Sequence, residues 1–250
     1  DGGLKEVAVA TARGVISRRP SSAKFENRFY WTTDQYGFSS VLEETFQAQE
    51  KSDEISIVAE MPFIQVEINR IALQEQLFFG MVKRCLAQIK AHAYYHYKRS
   101  PKRKRYYLNS ELRLIYQVWR DFRYLTKHHN TGLADLKGRR FAYYPLHVEP
   151  EVALQSRSPE YFYQLSAIIS IARDLPAGIV LAVKEHIPAI GHRPDRYYEQ
   201  IAELKNVVII DPRENGLDII CQADMVVAIT GTAGQEAAIR GIPVIAFGRH

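Results

Sequence analysis

From residue 141 onward, short apolar runs alternate with stretches whose apolar residues recur at helical spacing. Strands are expected at residues 141–146, 179–183, 207–210, 225–229 and 243–247. Helices are expected between them at 159–174, 195–204, 217–222 and 233–240. Strands that are apolar throughout, joined by connections long enough for a helix, predict a parallel sheet covered on both faces. Boundary signals agree. Ser158 before Pro159 reads as a cap with proline at the first helical position, and Leu175-Pro176-Ala177-Gly178 closes that helix. Gly241 follows the helix expected to end at Arg240.

The N-terminal part is patterned differently. Short β-like runs at 7–10, 29–33 and 55–59 are separated by polar stretches such as Arg18-Arg19-Pro20-Ser21-Ser22, and no topology follows from them. From about Gln65 the spacing of Ile68, Ile71, Phe78, Val82, Leu86 and Ile89 predicts one long amphipathic helix reaching the Tyr94-Tyr95 region. The basic run 98–105, with Pro101 inside it, breaks that helix. A second helix is expected from a cap at Ser110 to near Lys127, with Leu112, Ile115, Tyr116, Trp119 and Phe122 on one face. The expected organisation is therefore an incomplete region 1–135 with long basic helices, followed by a doubly wound α/β domain at 136–250.

Charge changes this picture at one place. The segment from Lys83 to Lys127 carries thirteen Lys/Arg against two Asp/Glu, while the whole chain is only +5, so the remainder is net negative. Such asymmetry points to an anionic partner for that segment, with an anionic membrane surface or a phosphate-bearing acceptor ahead of nucleic acid, for which no binding motif is present. A solvated pair of basic helices is the plain alternative. No apolar run approaches the roughly 20 residues that span a bilayer, and the chain begins at Asp1 without a signal-peptide pattern. A fragment of a cytoplasmic protein, peripheral on the inner face of the membrane, is expected. Cys85 and Cys221 sit in apolar patterns and read as reduced core residues.

In open α/β sheets, ligands bind beyond the carboxyl ends of the strands, so three loops carry the candidate chemistry. After the fourth strand, Thr230-Gly231-Thr232-Ala233-Gly234-Gln235-Glu236 leads small residues into a helix start. Unpaired N–H groups, the helix dipole and two hydroxyls there make a phosphate cradle, and Gly231 and Gly234 allow close approach. Glu236 is placed to accept from ribose hydroxyls. After the second strand come Lys184, His186, His192 and Arg193. Lys184, His186 and Arg193 read as donors to a phosphate ester, and His192 as facing solvent. After the first strand, Glu149 is placed to act as a general base or to stabilise an oxocarbenium-like centre in sugar transfer. A purely structural turn, an ordinary first-turn carboxylate and an exposed loop charge are the alternatives for 230–234, Glu236 and Glu149. No H-E-x-x-H, clustered Cys/His or G-x-S-x-G pattern points to a metal or to serine hydrolase chemistry.

At these loops the sequence resembles the capsule polysaccharide biosynthesis family, which includes bacterial Kdo transferases. Pro145-Leu146-His147-Val148-Glu149-Pro150 is similar to that family's Q-x-E-P segment, with His147 where Gln is common. Lys184-Glu185-His186 is similar to its K-E-H-P segment, with Ile187 in place of the proline, and residues 230–237 to its T-G-T-A-G-x-E-A helix start. The resemblance implies a GT-B glycosyltransferase without metal or other cofactor. Its C-terminal Rossmann-like domain would hold a nucleotide-sugar donor, CMP-linked such as CMP-Kdo, for a glycan or glycolipid acceptor. His186, Thr230 and Thr232 would lie near the nucleotide phosphate. A sugar-nucleotide epimerase, a polyol-phosphate transferase and a non-catalytic assembly subunit share these features and differ in product.

Overall fold

The computed structural model describes residues 69–70, 72–74, 76–99, 107–129, 131–149, 154 and 158–248, together with 6, 9–10, 12–22, 29–33 and 38–49. Its centre is a five-stranded parallel sheet: β3 (Arg140–Pro145), β4 (Ile179–Lys184), β5 (Val207–Ile210), β6 (Met225–Ala228) and β7 (Val244–Ala246), in the spatial order β5-β4-β3-β6-β7. A two-stranded antiparallel ribbon of β1 (Arg19–Ser22) and β2 (Phe29–Thr32) precedes it.

Alternation along β3 shows why the sheet is covered twice. Ala142 and Tyr144 join Leu181 and Val183 of β4 in one core, with Ala167, Ile168 and Ile171 of α4 (Gln164–Asp174) and Tyr197, Tyr198 and Ile201 of α5 (Tyr197–Ala202). Phe141 and Tyr143 point the other way, onto Ile219 and Ile220 of α6 (Gly216–Gln222) and Ala237 of α7 (Thr232–Ile239). The fold is thus a doubly wound, Rossmann-like sheet, as the apolar strands predicted. Order reverses between β3 and β6, which makes that crevice the topological switch point.

The helix ends explain themselves locally. Asn215 caps α6 by accepting from the Leu217 N–H at 3.0 Å. Gly241 takes φ +72°, its N–H donates to Ala238 and the Ile242 N–H to Ala237, the double bond pattern that ends α7. Ser158 does not cap α4. It precedes a short 3-10 turn, Pro159–Tyr161, and α4 begins only at Gln164. The helix expected at 195–204 is likewise shorter, at Tyr197–Ala202.

Ahead of the sheet lie α1 (Ser40–Ala48), α2 (Phe78–Tyr97) and α3 (Leu108–His128). The expected break holds, since α2 ends at Tyr97 and α3 resumes at Leu108. The start of α2 differs: residues 69–70, 72–74 and 76 are helical, but Leu77 is extended and interrupts the helix. Helix α3 starts before Ser110, and its buried face is Ile115, Val118, Asp121, Phe122 and Leu125, which leaves Tyr116 exposed. Phe122 and Leu125 enter the core of the sheet's α4/α5 face. Two N-terminal expectations are corrected. Residues 9–10 are helical rather than extended, and the polar Arg19–Ser22 stretch is a strand, because a ribbon's backbone bonds do not require apolar side chains. The run 55–59 lies outside the described residues. Both cysteines are free, but Cys221 is exposed on α6 rather than buried.

Candidate functional site

The loops following β3 and β6 meet at the switch point. Leu146 extends the ladder by donating to the Lys184 carbonyl at 2.9 Å, which carries the chain out over the end of the sheet. His147 follows, and a side-chain amide grips its backbone on both sides. The His147 N–H donates to Gln164 Oε1 at 2.8 Å, and Gln164 Nε2 donates back to the His147 carbonyl at 3.0 Å. The His147 ring then reaches the third loop, where the Thr230 N–H approaches Nε2 at 3.4 Å. Gly231 is required beside it, because a Cβ there would stand 2.8 Å from His147 Cε1.

Helix α7 starts directly after that glycine, and no side chain of the described residues caps it. Its first N–H groups thus face the crevice with the positive end of the dipole behind them. Thr230 is buried, and its hydroxyl has no hydrogen-bond partner among the described residues. Thr232 is exposed at the first helical position, with Ala233 next to it. Gly234 has a different job from the expected one. It is buried against Val244 Cγ1 and Ala228 Cβ, so its missing side chain lets α7 lie close to the sheet.

The loop after β4 is organised by a buried ion pair. Glu185 is fully buried and receives Arg193 at both oxygens, Nε to Oε2 at 2.7 Å and Nη2 to Oε1 at 2.8 Å. The Tyr198 hydroxyl donates to Oε2 at 2.9 Å and the His186 N–H to Oε1 at 2.7 Å. Arg193 Nη2 also donates to the His147 carbonyl at 2.6 Å, and Nη1 pairs with Glu149 at 3.4 Å. Burial works against the Arg193 cation, but Glu185 overrides it and its pKa is raised. Arg193 therefore ties loop one to loop two and turns its donors inward, in contrast to the phosphate contact expected of it. Glu185, Gln164 and Tyr198 went unassigned in the sequence. Nothing in a linear spacing of 17 residues marks Gln164 as the partner of His147.

His186 is exposed at the rim of this cluster, while His192 faces solvent. Packing of the surrounding protein, then the Lys184 and Arg193 cations, hold the His186 pKa below the ordinary imidazole value. Lys184 belongs to the opposite face of the sheet by strand alternation. Burial lowers its pKa, an effect that Glu185, Asp211 and Glu214 only partly oppose, and its ammonium donates to the Glu185 carbonyl at 3.4 Å. Glu236 lies on that face too, close enough to Tyr143 to act on its phenol, whose pKa is raised first by burial. Glu149 accepts from Gln164 Nε2 and, at 3.4 Å, from the Gln164 N–H, both at Oε1, while Oε2 accepts no hydrogen bond among the described residues. A cavity of about 300 Å³ opens beside it between α4 and α5, walled by Gln164, Ile169 and Tyr197. Pro150 and Glu151 lie outside the described residues. The structure thus brings together His147, Glu149, Thr230, Gly231 and Arg193, keeps His186 at the rim, and separates Lys184 and Glu236.

Residues 64–250 match the profile of the family described as capsule polysaccharide biosynthesis protein. The chain belongs to that family. Solved structures similar to this family member include two of Thermosulfurimonas dismutans KpsC. One is titled beta Kdo 2,7 transferase, with 23% identity over 54% of this chain and 42% of that chain, at a TM-score of 0.36. The other is titled beta Kdo 2,4 transferase, with 16% identity over 54% of this chain and 45% of that chain, at a TM-score of 0.35. The chain thus spans less than half the length of either. A search of curated proteins found no match. No described helix is long and apolar enough to cross a membrane, and no group of metal-ligating side chains occurs among the described residues.

Proposed function

We propose that residues 136–250, with α3 packed onto them, form the nucleotide-sugar donor domain of a GT-B-like glycosyltransferase. The rest of the region 1–135 would lie on the acceptor side. The reaction is transfer of a sugar from a nucleotide donor, CMP-linked such as CMP-Kdo, to a glycan or glycolipid in capsule or other cell-surface polysaccharide synthesis. One observation carries this reading: at the switch point of the sheet, an uncapped helix start meets the His147–Thr230 contact beside a carboxylate.

The donor phosphate would sit against the first N–H groups of α7 and the hydroxyls of Thr230 and Thr232. His186 would approach it from the rim. As the anomeric C–O bond breaks, the nucleotide leaves with the electron pair and its growing charge falls on these donors. The acceptor hydroxyl forms the new bond, and its proton passes to Glu149. Gln164 and Arg193 hold that carboxylate by Oε1, which leaves Oε2 as the proton acceptor.

His186→Ala is expected to weaken CMP binding by about tenfold or more, measured by calorimetry, as the loss of a charge-assisted hydrogen bond predicts. Unchanged affinity would remove His186 from the site. Binding is also expected to depend on pH with a defined sign. In the free protein His186 has a lowered pKa, and an adjacent phosphate anion would raise it. Between the two pKa values the complex holds one more proton than the free protein, so affinity should rise as pH falls through that window. A CMP phosphodiester, which does not itself titrate there, isolates the effect, and His186→Gln should flatten it. Equal slopes in the two proteins would exclude this histidine as the source.

A further inference from the structure

Helix α2 turns its apolar side away from the protein. Phe79, Val82, Leu86 and Ile89 follow at alternating spacings of three and four residues, so they form one ridge along the helix. All four are exposed, Phe79 by 84% and Leu86 by 62%. The half-buried side mixes Met81, Cys85 and Ala91 with Arg84, Gln88, His92 and Tyr95 instead. A helix folded onto a core has the reverse arrangement. The ridge was legible as a helical stripe in the sequence, but its direction was not.

Charge says what covers it. Helix α2 contains no Asp or Glu. Lys83 and Lys90 are exposed, lie seven residues apart on one flank of the ridge, and are followed by Lys98 and Arg99 just beyond the helix. An apolar ridge flanked only by cations is the composition of a helix that lies in the headgroup layer of a membrane. A second copy of the chain fits poorly, since pairing along this ridge would set Lys83 and Lys90 against cations with no carboxylate on either helix.

We propose that α2 is an interfacial anchor for an anionic lipid leaflet. Phe79, Val82, Leu86 and Ile89 enter the acyl boundary, while Lys83 and Lys90 reach back to the lipid phosphates. Apolar burial thereby supplies what a basic surface alone lacks. The anchor uses no residue of the donor site and stands or falls separately from it.

The test is flotation of the full chain with phosphatidylcholine vesicles, with and without phosphatidylserine. The protein is expected to float with the anionic vesicles only. The double substitution Phe79→Ser/Leu86→Ser should reduce partitioning at least about tenfold, because it removes apolar burial at two inserted positions. Lys83→Gln/Lys90→Gln should reduce it several-fold and weaken its salt dependence. All four positions are exposed, so an unchanged circular-dichroism melt and unchanged CMP affinity are expected of both variants. Absence of vesicle association, or association indifferent to the serine pair, overturns the proposal. So does a dimer in sedimentation equilibrium that the serine pair dissociates, which would make a second copy the occupant of the ridge.

Discussion

Arg193→Ala is expected to lower the unfolding free energy by about 3–5 kcal/mol, the cost of removing one partner from a buried ion pair. Glu185 is fully buried, and without the guanidinium its hydrogen-bond donors among the described residues are the Tyr198 hydroxyl and the His186 N–H. The His147 carbonyl loses a 2.6 Å donor at the same time. For a chain of this size such a loss corresponds to a fall in melting temperature on the order of ten degrees. Denaturant unfolding measures it directly, and a loss below about 1 kcal/mol would show that the pair is not buried as described. The double substitution Arg193→Met/Glu185→Gln separates folding from function. Removing both charges should restore much of the stability, because replacing a whole buried pair is far less costly than breaking it. It should not restore CMP affinity, since the tie between the His147 and His186 loops is gone.

Gly191→Ala is expected to destabilise by about 2–5 kcal/mol, from two causes that act together. Gly191 sits at φ +86°, where an L side chain costs roughly 1–2 kcal/mol. Its added Cβ would also meet Val118 at 2.4 Å from Cγ2 and 2.7 Å from both Cα and N, an overpacking that costs about 1–3 kcal/mol. Two of these three contacts are with the backbone of α3, so trimming the valine should leave them in place. Val118→Ala in the Gly191→Ala background is expected to recover little, as judged from the denaturation midpoint. Full recovery would place the clash on the valine side chain alone and relieve α3 of its part in holding the loop.

The strands and helices of the C-terminal sheet were legible because each is a local pattern. Phe141 to Tyr144 are apolar without interruption since both faces of β3 are covered, and Gly241 announces the end of α7 by the conformation it adopts. The three loops were legible by position, as they follow strands of a parallel sheet. The role of each residue within them was not. Arg193 and Lys184 are cations in one loop, yet alternation along β4 sends Lys184 toward Asp211 and Glu214 while Arg193 folds back onto Glu185. Gln164 falls inside a helix by its spacing, yet its amide holds the backbone of a residue 17 positions earlier.

Period and strand–turn–helix order therefore sufficed, from the sequence alone, for a parallel Rossmann-like sheet and for the loops that crown it. These depend on each residue's own neighbours in the chain. Tertiary structure decided which polar groups remain available to a ligand, because burial and pairing depend on what other segments bring. It turned Arg193 inward as a clamp, left His186 at the rim, and set the uncapped start of α7 beside His147. It also decided the direction of the stripe on α2. Spacing shows that a helix has an apolar side, and only its packing shows that this side faces out.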